Sequence, residues 1–107
     1  MQNKYRFKFT KVAVSDIEKA LEYISENLAN PQAAKKLYFE IEKAIDNICS
    51  FPYAYADCSC YMVNDENIRH IKVGNYILIY EVLKSNSYVH ILRFRYSMMD
   101  FANMDFK

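Results

Sequence analysis

Ile68-Arg-His-Ile-Lys-Val-Gly-Asn-Tyr-Ile-Leu-Ile-Tyr-Glu-Val82 is the stretch on which the fold turns. Its second half, from Tyr76 to Val82, is apolar at nearly every position. A strand with both faces covered reads this way, so this segment is expected near the middle of a sheet. Ile68–Val73 just before it reads as a shorter strand. After it, Lys84-Ser-Asn-Ser87 offers a hairpin connection into a third strand over Tyr88–Tyr96.

Working outward from these strands, the chain opens with Lys4-Tyr-Arg-Phe-Lys-Phe9. Tyr5, Phe7 and Phe9 alternate with Lys4, Arg6 and Lys8, the period of two expected of a half-buried strand. Ala13, Ile17, Leu21, Ile24 and Leu28 then recur at helical spacing, with Val14 and Ala20 widening the stripe. Thr10 and Ser15 are both candidate N-caps, and Glu18 would complete a capping box with the latter. Asn30-Pro31 ends one helix and starts another, with Asn30 as cap and Pro31 in the first turn. The second helix gathers Ala34, Leu37, Ile41, Ala44, Ile45 and Ile48 on one face and stops at Phe51-Pro52. Two amphipathic helices this close in sequence are expected to form an antiparallel hairpin. Residues 53–67 carry no clear period and read as a loop. The order β-α-α-β-β-β predicts an α+β fold, with the helical hairpin packed on one face of a mainly antiparallel four-stranded sheet.

Length and composition bound what such a fold can do. The 107 residues suit a single domain over 1–107. With 52% hydrophobic and 25% charged residues, the chain is expected to be a soluble globular protein. No apolar run approaches the length of a membrane span, and the charged N-terminus does not resemble a secretory signal. The three cysteines, Cys49, Cys58 and Cys60, suit a reducing cytoplasm better than a disulfide framework. A zinc site from these cysteines with His70 and His90 is disfavoured, because a single residue separates Cys58 from Cys60. No metal and no cofactor is expected.

Charge is distributed unevenly. Residues 1–11 carry +4, residues 12–67 carry −6 and residues 68–107 carry +3. The basic ends belong to the sheet and the acidic middle to the helices, so one side of the molecule is expected to be the more positive.

Three patterns, in order, resemble the RelE/ParE toxin superfamily. They are Ala13 with Asp16-Ile17 after the first strand, then Ala44-Ile45-Asp46-Asn47-Ile48 with Phe51-Pro52. The third is the quoted stretch followed by Val89-His-Ile-Leu-Arg-Phe-Arg-Tyr96 and Asp100. The resemblance implies a cytoplasmic toxin of a type II toxin–antitoxin module, of the plasmid-stabilisation kind. It would be held in a hetero-oligomer by a cognate antitoxin that wraps it with a helical or extended segment. One branch of the superfamily cuts messenger RNA on the ribosome; another poisons DNA gyrase. The nuclease branch often has an Arg where this chain has Ile77, and a Gly-Arg-Arg or Gly-Lys-Arg run where it has Ser97-Met98-Met99. These departures favour a ParE-like gyrase inhibitor over a ribosome-dependent nuclease, with a degenerate, non-toxic member as a further alternative.

Candidate residues follow. Arg69 and Lys72 suit contact with a target or antitoxin, or else serve as edge charges that resist aggregation. Arg93 and Arg95 alternate onto the face of Val89 and Ile91. An Arg on an apolar face needs a partner, so Arg93 reads as structural, paired with an acid or with carbonyls. Arg95, nearer the strand end, is a candidate for binding and, with Tyr96, for catalysis. Tyr96 would donate a proton or stack on a base, unless it only closes the core. Tyr76 and Tyr80 read as structural. His70 and His90 read as packed or surface histidines. The apolar tail with Met98, Met99, Phe101, Met104 and Phe106 either completes the core or edges an antitoxin groove.

Overall fold

A computed structural model describes residues 4–55 and 67–96. Cys58, Cys60 and the tail beyond Tyr96, with its Met98 and Met99, lie outside the described residues. The elements are β1 (Arg6–Phe9), α1 (Lys11–Glu22), α2 (Pro31–Ser50), β2 (Ile68–Val73), β3 (Tyr76–Leu83) and β4 (Tyr88–Tyr96). Their strands form one sheet in the order β1-β4-β3-β2. Both β2–β3 and β3–β4 are antiparallel, while β1 lies parallel to β4. The fold is α+β, two helices on a mainly antiparallel mixed sheet.

Local chemistry sets the helix boundaries. Thr10 caps α1, its hydroxyl accepting from the Ala13 amide at 3.0 Å. Ser15 lies inside the helix instead. A π-helical turn over Tyr23–Asn27 follows α1. The extra residue in that turn shifts the phase of the apolar stripe, and Leu28 ends up exposed rather than buried. Ala29 then takes a positive φ of 49°, which reverses the chain into Asn30. Asn30 accepts from the Ala33 amide at 3.1 Å and Pro31 opens α2.

Periodicity decides what α2 buries. Ala34, Leu37, Ile41, Ala44, Ile45 and Ile48 are all buried, joined by Cys49. They meet Leu78, Tyr80 and Val82 of β3 and Val89, Ile91 and Phe94 of β4 in one core cluster. A fully buried Ile such as Ile48 contributes roughly 1.5–3 kcal/mol through burial. At the exit from α2, the buried Tyr80 hydroxyl donates to the Pro52 carbonyl at 2.8 Å. That bond satisfies a polar group that would otherwise be costly inside the core.

A β-bulge shapes β4. Ile79 stands opposite Arg93 and Tyr80 opposite Ile91, so Leu92 has no counterpart on β3. Two residues therefore separate the helix-facing Ile91 and Phe94 instead of one. Arg93 and Arg95 consequently lie on the face opposite Val89 and Ile91, contrary to simple alternation along the strand. The bulge also coincides with the end of β1. Thr10 donates its amide to the Ile91 carbonyl and its hydroxyl to the Leu92 carbonyl, both at 3.0 Å.

The opening strand is less covered than its alternation implies. All four β1 residues are exposed, including Phe7 at 47% and Phe9 at 40%. Among the described residues it is an edge strand, and just before it the Tyr5 amide donates to the Cys49 carbonyl of α2 at 2.9 Å.

Candidate functional site

Register assigns side chains to the two faces of the sheet. Residues opposite one another share a face. The face turned away from α1 and α2 therefore carries a row of Lys72, Ile77 and Arg95, and beside it a row of His70, Ile79 and Arg93. The next row is Ile68, Glu81, His90 and Lys8, and the last is Leu83, Tyr88 and Arg6. Among the described residues, five Arg or Lys side chains and one acid, Glu81, map to this face by register. Buried Ile68, Ile77, Ile79 and Leu92 form its apolar centre.

Two cations sit at one corner of that face. The Arg6 guanidinium lies 5.2 Å from the centre of the Tyr88 ring and the Lys8 ammonium 5.7 Å from it. Parallel pairing produces this arrangement, because Arg6 faces Tyr88 directly and Lys8 is two residues further along the same face.

At the opposite end, one carboxylate organises β4. Beyond Ile91, β1 no longer covers the edge of β4, and Asp16 of α1 takes its place. One oxygen of Asp16 accepts from Arg93 Nε at 2.9 Å and from the Phe94 amide at 3.1 Å. Its other oxygen is 3.9 Å from Arg95 Nη1. The Asp16 and Arg93 side chains are only 12% and 15% exposed, so their pairing is shielded from solvent.

The remaining candidates are placed as follows. Arg69 stands opposite Tyr80 and so belongs to the helix side of the sheet, apart from Lys72 and Arg95. It donates to the carbonyls of Tyr53 at 3.2 Å and Tyr55 at 2.7 Å, and its guanidinium lies 4.7 Å from the Tyr53 ring centre. Arg69 thus ties the chain after α2 to β2. Tyr96 faces Tyr76, again on the helix side, with the rings 5.7 Å apart and nearly perpendicular. Tyr76 in turn stacks on Phe94 at 4.8 Å. Burial pushes the Tyr76 phenol above its ordinary value, with Tyr23 and Tyr96 adding to the effect. Arg95 and Tyr96, neighbours in sequence, therefore point to opposite faces of the sheet.

Sequence reasoning missed a cavity of about 500 Å³ between β1 and α2, lined by Phe7, Phe9, Ile17, Tyr38, Ile41 and Ile45 among others. Its signal in the sequence is the alternation of Phe7 and Phe9 along β1. Among the described residues, no cluster of His, Cys, Asp or Glu side chains could hold a metal ion, and no helix is long and apolar enough to cross a membrane.

The family model for the ParE toxin of the type II toxin–antitoxin system parDE matches residues 7–101. The chain belongs to the ParE toxin family. Solved structures share this ParE-type fold. A chain of the chromosomal ParDE toxin–antitoxin system from P. aeruginosa aligns with a TM-score of 0.68 at 14% identity, covering 89% of this chain and 98% of that one. A chain of the toxin–antitoxin complex RelBE2 from Mycobacterium tuberculosis aligns with a TM-score of 0.61 at 19% identity, covering 90% and 94%. No curated protein sequence matches at a significant level.

Proposed function

We propose that this ParE-family toxin acts in the cytoplasm by binding DNA gyrase and blocking it without covalent chemistry, and that a cognate antitoxin neutralises it. One observation carries the choice of target. In the row Lys72–Ile77–Arg95 the central position is apolar and buried, while Tyr96 turns to the other face. Cleaving RNA at a 2′-hydroxyl needs a base, an acid and a cation within hydrogen-bond reach of one phosphate. A site in which Ile77 separates the cations and Tyr96 faces the helices is poorly suited to that task. It remains well suited to holding an acidic protein surface, since charge complementarity steers and orients association.

The experiment is a supercoiling assay with purified gyrase beside a cleavage assay on translating ribosomes. Loss of supercoiling with intact messenger RNA is expected. Cut RNA that disappears in a protein carrying both Arg95→Ala and Tyr96→Phe would establish the nuclease reading instead. Growth arrest on expression, relieved by the antitoxin, separates either activity from a degenerate, non-toxic member.

A further inference from the structure

The sheet has a second apolar centre, apart from the one that α1 and α2 build. Ile68, Ile77, Ile79 and Leu92 are between 1% and 6% exposed, yet none of them belongs to the core cluster that the helices share with β3 and β4. They lie on the face turned away from α1 and α2. Among the described residues no helix or strand lies over that face. An antiparallel sheet with one face open leaves the side chains of that face partly in water. Charged neighbours laid across the four as an outermost layer would themselves be exposed. Instead the Arg93 and Arg95 side chains are only 15% and 25% exposed. Burial this deep calls for a cover from elsewhere in the chain.

We propose that residues 97–107 turn back across this face, setting Met98, Met99 and Phe101 on the aliphatic centre and Asp100 and Asp105 toward the surrounding cations. Arg95, next to the last residue of β4, shares a row with Ile77 on this face. The tail thus begins beside the centre it would cover. Its 11 residues span roughly 16 Å as a helix and up to about 36 Å extended. Ile79 is one row beyond Ile77, about 7 Å away. Met is unbranched and polarizable, which lets it fit an irregular aliphatic surface. Two acids and one base on the tail complement a face to which register assigns five Arg or Lys and one acid. Residues 56–66 suit the role less well, since they begin on the helix side, where Arg69 holds the carbonyls of Tyr53 and Tyr55. A second copy of this chain would set like charges against each other. Such a cover is required whichever target the toxin acts on.

Full-length toxin with isotope-labelled methionine methyl groups provides the first test. Nuclear Overhauser contacts are expected from the methyls of Met98 or Met99 to those of Ile77, Ile79 or Leu92. Their absence would overturn the proposal. So would the same contacts arising from Met62, which assign the cover to residues 56–66, or contacts seen only between differently labelled copies. Proteolysis gives a second reading, because a docked segment is cut only when it opens. Chymotrypsin is expected to cleave after Phe101 roughly tenfold more slowly in the intact toxin than in a synthetic peptide of residues 97–107. Carrying both Asp100→Lys and Asp105→Lys, in toxin and peptide alike, is expected to remove most of that difference. Equal rates in the unaltered toxin and peptide, or a difference untouched by the charge reversal, would sink the assignment.

Discussion

Single residues carry more than one duty in this protein, and Asp16 is the clearest case. It replaces a missing strand at the edge of β4, neutralises Arg93 and stands beside Arg95. Asp16→Ala should destabilise the protein by about 2 kcal/mol, since it removes an ionic partner from a shielded Arg and the acceptor from the Phe94 amide. Urea denaturation measures this. Cys49 provides a pH signature. Burial first, and then the nearby Asp46, push its thiol above the ordinary value of 9.0, with Lys4 opposing. The folded state thus keeps a proton that the unfolded chain releases. Stability should be unaffected below about pH 9 and decline as pH rises beyond it. Melting temperature followed from pH 8 to pH 10.5 tests the sign, and Cys49→Ala should flatten the first part of the decline.

At the level of elements, turns and caps hold the strands in register. Gly74 joins β2 to β3 with a φ of 59°, and a Cβ there would have its nearest neighbours at 3.9 Å. Gly74→Ala should therefore cost about 1 kcal/mol from backbone strain rather than from collision. Equilibrium unfolding of the variant gives that value directly. These elements also show how much of the fold can be read in advance. The stripe from Ala34 to Ile48 and the apolar run from Tyr76 to Val82 advertise their burial, because packing repeats with the period of the backbone. The bulge at Leu92 has no such marker, being flanked by neither Gly nor Pro, and it alone transfers Arg93 and Arg95 to the other face. The π-turn over Tyr23–Asn27 is equally silent, and with it the exposure of Leu28. Exposure of Phe7 and Phe9 follows from the place of β1 in the strand order, which alternation within β1 does not encode.

Across the whole molecule, the fold separates Arg69 from Lys72 and Arg95. Arg69 holds the chain after α2 in place, while Lys72 and Arg95 share a row on the face turned away from α1 and α2. Arg69→Ala should lower the melting temperature. Lys72→Glu should leave it within a few degrees and, on the function proposed above, weaken gyrase inhibition by roughly tenfold, about 1.4 kcal/mol of binding. A supercoiling titration paired with thermal melts distinguishes the two. Of the site, sequence identified the chemistry of these side chains but not their grouping. Lys72 and Arg95 lie more than twenty positions apart, and only the register of β2, β3 and β4 brings them into line.

The parallel pairing of β1 with β4 also has a bearing on how this toxin is made. β1 must wait for β4, about eighty residues later, because Arg6 to Phe9 seat against Tyr88 to Ile91. A polypeptide whose β4 has yet to leave the ribosome therefore cannot close its sheet, and contacts this distant in sequence slow folding further. Closure of the sheet is thereby postponed until β4 has been made, so β1, α1 and α2 spend that interval without the strand they all pack around.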